Sequence, residues 1–131
     1  MNLDLLLQLG GIVQLGIAGA NLLAPRRFAY RENLARVSPI VREIFVVHCI
    51  YIVLVVLFFA AVCLLLPDEL HGGCALGRVL SGFLAAFWGL RMLIQLVFYD
   101  RALRHAAPVL DALFVGAFGY LTAVFLWAAL A

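Results

Sequence analysis

The residues of this sequence that could do chemistry are ionisable and polar side chains set within long apolar segments. Arg91 is the most informative, because it lies eight residues before Tyr99, about 12 Å from the end of its apolar segment. A charge near the bilayer centre costs on the order of 2.5–3.5 kcal/mol, so such residues are often functional. One helix face is shared by Trp88, Arg91, Gln95 and Tyr99, which are spaced three or four residues apart.

Partners for this face are predicted from the depth of each residue in an antiparallel bundle. His48 and Tyr51 share a face of the second apolar segment and are expected to point inward, toward Arg91. Glu43 is turned about 140° from His48 and is expected nearer the interface as a candidate counter-ion. Asp111 either complements the positive N-terminus of its helix or acts as the counter-ion of Arg91.

Two interpretations of this cluster stay open. In the first, Arg91 is a structural clasp that bridges helices and extends toward the cytoplasm. In the second, a cytoplasm-facing pocket holds an anionic or carbonyl-bearing group. Gln14 and Asn21 lie seven residues apart on the first segment, where they either complete such a pocket or form ordinary interhelical hydrogen bonds.

Other chemistry has little support in the sequence. It contains no Gly-rich phosphate loop, nucleophile elbow or CxxC motif. His48, His71 and His105 are expected at different depths, and no cluster of three or four metal ligands is recognisable. We therefore predict no catalytic residue, metal or cofactor.

Cys63 and Cys74 are both expected toward the outside, where they either form a disulfide or remain free thiols.

The elements that position these residues follow from composition. The chain is 67% hydrophobic and 12% charged, with a mean hydropathy of +1.15, whereas soluble domains carry about 25% charged residues. Each of four apolar segments is long enough to cross about 30 Å of hydrocarbon. They span residues 3–24, 44–66, 76–99 and 109–130. We predict an all-α integral membrane protein whose residues 1–131 form a single four-transmembrane-helix bundle.

Four prolines mark the edges of these segments, because proline disfavours helix at the residue before it. They are Pro25, Pro39, Pro67 and Pro108. No basic residue precedes the first apolar segment, so we expect that segment to persist as a membrane helix and not to be cleaved as a secretory signal.

The arginines predict the orientation, since basic residues beside short connections stay in the cytoplasm. Arg78 is the single arginine of the second connection, whereas the first and third together hold seven. These seven are Arg26, Arg27, Arg31, Arg36, Arg42, Arg101 and Arg104. We therefore predict cytoplasmic first and third connections and both chain ends outside. The expected location is the inner membrane of a bacterium.

The first connection is expected to contain an amphipathic helix. Tyr30, Leu34 and Val37 are spaced for one helical face. Such a helix would lie in the headgroup region with its arginines on anionic lipid. These membrane-surface residues are Arg26, Arg27, Arg31 and Arg36. The alternative is a solvated connector whose arginines only set the topology.

Function is predicted from the polar stripe and the basic inner surface together. The leading hypothesis is a non-enzymatic accessory or ligand-binding module whose pocket takes an anionic or lipid-like amphiphile. A transporter or channel for a small anion or weak acid is the alternative, and a quinone-type membrane redox protein is the third. Expected partners are the bilayer, anionic headgroups, and a membrane protein or second copy of the chain, but not nucleic acid. The chain resembles DoxX-like proteins in length and number of spans alone.

Overall fold

The computed structural model describes residues 2–131, so Met1 of the predicted domain lies outside the described residues. Four long helices are α1 (Leu3–Arg27), α3 (Pro39–Leu65), α5 (Ala75–Leu93) and α7 (Pro108–Leu130). A π-helical turn, Ile94–Phe98, extends α5. Three short helices are α2 (Tyr30–Leu34), α4 (Pro67–His71) and α6 (Arg101–Ala106). All four long helices are apolar enough to span a membrane, which confirms the predicted all-α membrane bundle.

The prolines mark most of the helix boundaries. Pro39, Pro67 and Pro108 each stand in the first turn of a helix, where the missing backbone N–H needs no partner. The prediction is wrong for Pro25, because α1 continues past it to Arg27. In the last turn of a helix, proline removes one hydrogen bond without interrupting the turns before it.

The bundle consists of two helical hairpins. In the first hairpin α1 packs along α3, and in the second α5 packs along α7; contacts between α1 and α7 join the two. Gly11 of α1 permits the closest approach within the first hairpin, since a Cβ there would lie 3.1 Å from the carbonyl oxygen of Ala60. Between hairpins, the ring of Phe59 is 5.3 Å from that of Phe87.

Packing differs between the two ends of the bundle. We call the end with Leu3, Leu65, Ala75 and Leu130 the closed end, and the opposite end the open end. The large, fully buried side chains of α3 and α7 lie between the middle of those helices and the closed end; they include Val56, Cys63, Phe118, Leu121 and Phe125. In contrast, residues 39–52 of α3 are exposed except for a half-buried Cys49. The helices therefore pack densely at the closed end and separate toward the open end.

Candidate functional site

The separation of the helices at the open end creates a groove between α1, α2 and α3. We call it the α1–α3 groove, and its cavity volume is about 470 Å³. Pockets for small molecules typically measure about 300–1,000 Å³. The groove therefore has the size of a ligand site, and it borders the exposed part of α3.

One face of α3 forms the floor of the groove. Its residues recur every three or four positions, as expected for a single helical stripe, and are Arg42, Phe45, Val46, Cys49, Ile50, Val53 and Leu54. Twelve residues separate the first from the last, which corresponds to about 18 Å along the helix axis. Since the hydrocarbon core is about 30 Å thick, the groove runs about the depth of one leaflet.

The mouth of the groove is basic. Arg31 of α2 and Arg42 of α3 line it, together with Asn21 near the end of α1. Within residues 2–131 neither arginine forms an ion pair, although Glu32 and Glu43 are their sequence neighbours. The groove thus combines an apolar interior with two guanidinium groups that have no carboxylate partner.

Helix α2 is held over the mouth by its connection to α1. Ala29 adopts a left-handed conformation with φ 49°, which turns the chain sharply, and Asn33 Nδ2 donates to the carbonyl oxygen of Phe28 at 2.9 Å. The ring of Tyr30 then packs edge-on against Phe45 of α3 at 5.2 Å. Burial raises the pKa of Tyr30, so its hydroxyl stays a neutral hydrogen-bond donor.

Arg91 lies in the second hairpin and does not line the groove. Its Cζ is 4.9 Å from the ring centroid of Phe118 and 5.3 Å from that of Tyr99. Its Nη1 donates to Gln95 Oε1 at 3.5 Å. The predicted stripe therefore exists, but its arginine is held by aromatic rings and an amide of its own hairpin.

Asp111 is not the counter-ion of Arg91, contrary to one of the two predicted roles. Both of its oxygens accept from Arg104, each at 2.9 Å, and Gln95 Nε2 donates to it at 2.8 Å. Asp111 raises the pKa of Arg104 through these hydrogen bonds. The carboxylate pairs with Arg104 because α6 brings that arginine back over the first turn of α7.

His48 and Tyr51 do not face Arg91, so the predicted inward orientation is wrong. Tyr51 is 64% exposed, and the ring of His48 bonds the carbonyl oxygen of Ile44 in its own helix. The prediction used only the depth of each residue in an antiparallel bundle. At the open end the helices separate, and this part of α3 is exposed. Glu43 is likewise exposed.

The remaining predicted pocket residues are dispersed. Gln14 and Trp88 are buried in the core, where Gln14 Oε1 and Trp88 Nε1 have no hydrogen-bond partner among the described residues. Asn21 lines the α1–α3 groove. Cys63 and Cys74 are free thiols, so the disulfide alternative is not formed. Cys63 is buried, and its Sγ accepts a hydrogen bond from Gln14 Nε2 at 3.4 Å.

Sequence reasoning missed two groups of residues. The apolar stripe of α3 was visible in its spacing, but every residue of so apolar a segment could equally face lipid. The second group, Asp4, Asp68 and His71, could hold a metal ion at the closed end. These residues come from helices that are distant in the chain, and their proximity has no local signal.

Comparison with known protein families, with curated proteins and with solved structures finds no match for this chain. The class of protein therefore follows from the fold and the groove alone. It is a four-helix integral membrane protein with an apolar groove that carries two arginines at its mouth.

Proposed function

We propose that this protein is a non-enzymatic, membrane-embedded binding module for an anionic amphiphile with an apolar chain. The α1–α3 groove carries the proposal. The apolar chain lies along the floor formed by α3, and the anionic headgroup lies against Arg31 and Arg42.

The shape of the groove favours a chain-like ligand. It is about 18 Å long at 1.5 Å per residue, and side chains such as Phe45, Ile50 and Leu54 line most of it. A lipid chain in the surrounding bilayer is already in an apolar environment, so burial alone gives little specificity. Selection must come from the polar end of the ligand.

The charge at the mouth supplies that selection. Guanidinium groups bind carboxylate and phosphate through two parallel hydrogen bonds. Arg31 and Arg42 have no such partner within residues 2–131. Tyr30 packs beside them and keeps its hydroxyl available as a further donor. An anionic headgroup would satisfy these donors together.

The test compares two ligands that share an apolar chain, one with a carboxylate headgroup and one with a neutral hydroxyl. Purified protein in mild detergent is incubated with oleate or with oleyl alcohol, and bound molecules are counted by native mass spectrometry. We expect one oleate per chain and markedly weaker binding of the alcohol. Replacing both arginines, as Arg31→Gln with Arg42→Gln, should remove the preference. Equal binding of the two ligands to the unmodified protein would refute the proposed site.

A matched pair of substitutions separates the groove from the lipid-facing surface. Val46 lines the groove and is 44% exposed, whereas Val47 does not line it and is 48% exposed. Val46→Trp should fill the floor and reduce oleate binding, and Val47→Trp should leave binding unchanged. Equal effects of both would show that oleate binds elsewhere.

We further propose that the open end faces the cytoplasm and that the membrane is a bacterial inner membrane. Seven of the chain's nine arginines lie in or beside the first and third connections at this end, and basic residues beside short connections remain cytoplasmic. The groove would then open to the inner leaflet, which carries anionic lipid.

A further inference from the structure

Three side chains that can bind metal meet at the closed end, remote from the α1–α3 groove. Asp4 belongs to the first turn of α1, while Asp68 and His71 lie three residues apart on α4. One ligand atom from each lies within 4.8 Å of the other two. His71 Nε2 also hydrogen-bonds Asp4 Oδ1. The group therefore unites one imidazole and two carboxylates from helices that are far apart in the chain.

These distances are close to those of a coordination sphere. Zinc binds nitrogen and oxygen ligands at about 2.0–2.2 Å, which puts two ligands of one ion about 3–3.5 Å apart. Asp68 and His71 are at least partly exposed, so their side chains have room to rotate toward a shared ion.

The backbone that carries two of the ligands is firmly packed. Leu70 of α4 is 1% exposed, and its carbonyl oxygen accepts from Ser81 Oγ of α5 at 2.8 Å. Gly77 of α5 approaches α4 so closely that a Cβ there would lie 2.0 Å from the carbonyl oxygen of Glu69. Helix α4 thus packs tightly against α5, and Asp68 and His71 lie on the side of α4 that faces Asp4.

The charges at this position favour a cation. Within residues 2–131 Asp68 forms no ion pair, and Arg78, the arginine nearest in sequence, is exposed and pairs with neither carboxylate. Imidazole and carboxylate together suit zinc and its neighbours in the first transition row, whereas Mg²⁺ and Ca²⁺ prefer oxygen ligands alone.

We propose that Asp4, Asp68 and His71 form a binding site for a divalent transition-metal ion such as Zn²⁺. The ion connects the first turn of α1 to α4, and through α4 to α5. It holds the two hairpins together at the closed end and leaves ligand positions open to solvent or to a further group. The site is independent of the amphiphile proposal.

The experiment measures metal binding by the full chain. Purified protein in detergent is stripped with chelator and titrated with Zn²⁺ by calorimetry, and Co²⁺ absorption reports the coordination. We expect one Zn²⁺ per chain, no response to Mg²⁺, and a rise in the thermal midpoint with Zn²⁺. Asp68→Asn and His71→Gln should each weaken Zn²⁺ binding by about tenfold or more, at least the effect of losing an outer-shell partner.

Asp68→Asn is the decisive variant, because Asp68 is exposed and is not part of the Asp4–His71 hydrogen bond. If Asp4 and His71 formed only a hydrogen-bonded pair and Asp68 took no part, Asp68→Asn would bind Zn²⁺ no differently from the unmodified chain. Glu69→Gln and His105→Gln are the controls, since they remove a neighbouring carboxylate and an exposed imidazole. Absence of stoichiometric Zn²⁺ binding, or equal losses in Asp68→Asn and Glu69→Gln, would overturn the proposal.

Discussion

At the scale of single residues, the second hairpin shows how an arginine is accommodated in an apolar bundle without a carboxylate. The Arg91 guanidinium lies over the rings of Tyr99 and Phe118, and such contacts contribute about 0.5–2 kcal/mol each, depending on desolvation. The ring of Trp88 stacks on that of Phe118, with 5.6 Å between the ring centroids, and so extends this aromatic cluster. Aromatic packing therefore takes the place of an Arg91–Asp111 ion pair, which was one of the two roles predicted for Asp111.

Trp88 gives a prediction at this scale. Trp88 is 1% exposed, but within residues 2–131 its Nε1 has no hydrogen-bond partner, so the ring and not the polar group stabilises the core. Trp88→Phe should keep most of the thermal stability in detergent. Trp88→Ala should destabilise the fold by about 3–5 kcal/mol, as large-to-small core substitutions do. A Phe variant as unstable as the Ala variant would show that the indole N–H is essential.

At the scale of elements, the closeness of α1 and α3 depends on a single glycine. A Cβ at Gly11 would lie 2.7 Å from Leu64 Cγ and 3.1 Å from the carbonyl oxygen of Ala60. Small residues permit such approaches between membrane helices. At Gly16, on the same helix, a Cβ would meet no atom of another described element within 4 Å, so the two glycines have different roles.

These two glycines form a matched pair for measurement. Gly11→Ala should push α1 away from α3 and lower stability by about 1–3 kcal/mol, the usual cost of overpacking. Gly16→Ala should be neutral or stabilising, because alanine is favoured over glycine in a helix by about 1 kcal/mol. Thermal unfolding of both variants in the same detergent compares them, and similar effects would contradict the close α1–α3 contact.

At the scale of the whole molecule, the chain is asymmetric along the bundle axis. The closed end carries the dense core and the group Asp4, Asp68 and His71, whereas the open end carries the α1–α3 groove and most arginines. The two proposed sites therefore lie at opposite ends of the membrane-spanning helices, and we expect them to face opposite compartments.

The native cysteines can test the proposed orientation. Cys74 is exposed at the closed end, Cys49 lies within α3 and Cys63 is buried. A membrane-impermeant maleimide applied to cells whose outer barrier is opened should label Cys74, and Cys74→Ser should abolish the labelling. Adding Ser38→Cys to that variant should give a thiol that reacts only after the membrane is permeabilised. The reverse pattern would place the open end outside.

The sequence alone was enough for the four long helices and the fold class. Four strongly apolar stretches of about 20 residues can only be stable as helices across a bilayer, because lipid offers the backbone no hydrogen-bond partner. The spacing of Trp88, Arg91 and Gln95 on one helix face was also readable, since helical periodicity is a local property.

Only the tertiary structure decided which helices are neighbours at each depth. In lipid, every apolar face is equally acceptable, so hydropathy does not tell a helix face that packs from one that meets lipid. For this reason His48 and Tyr51 were expected inside but lie exposed, and Asp111 pairs with Arg104. The same non-local packing brings Asp4 to His71 and leaves one stripe of α3 uncovered.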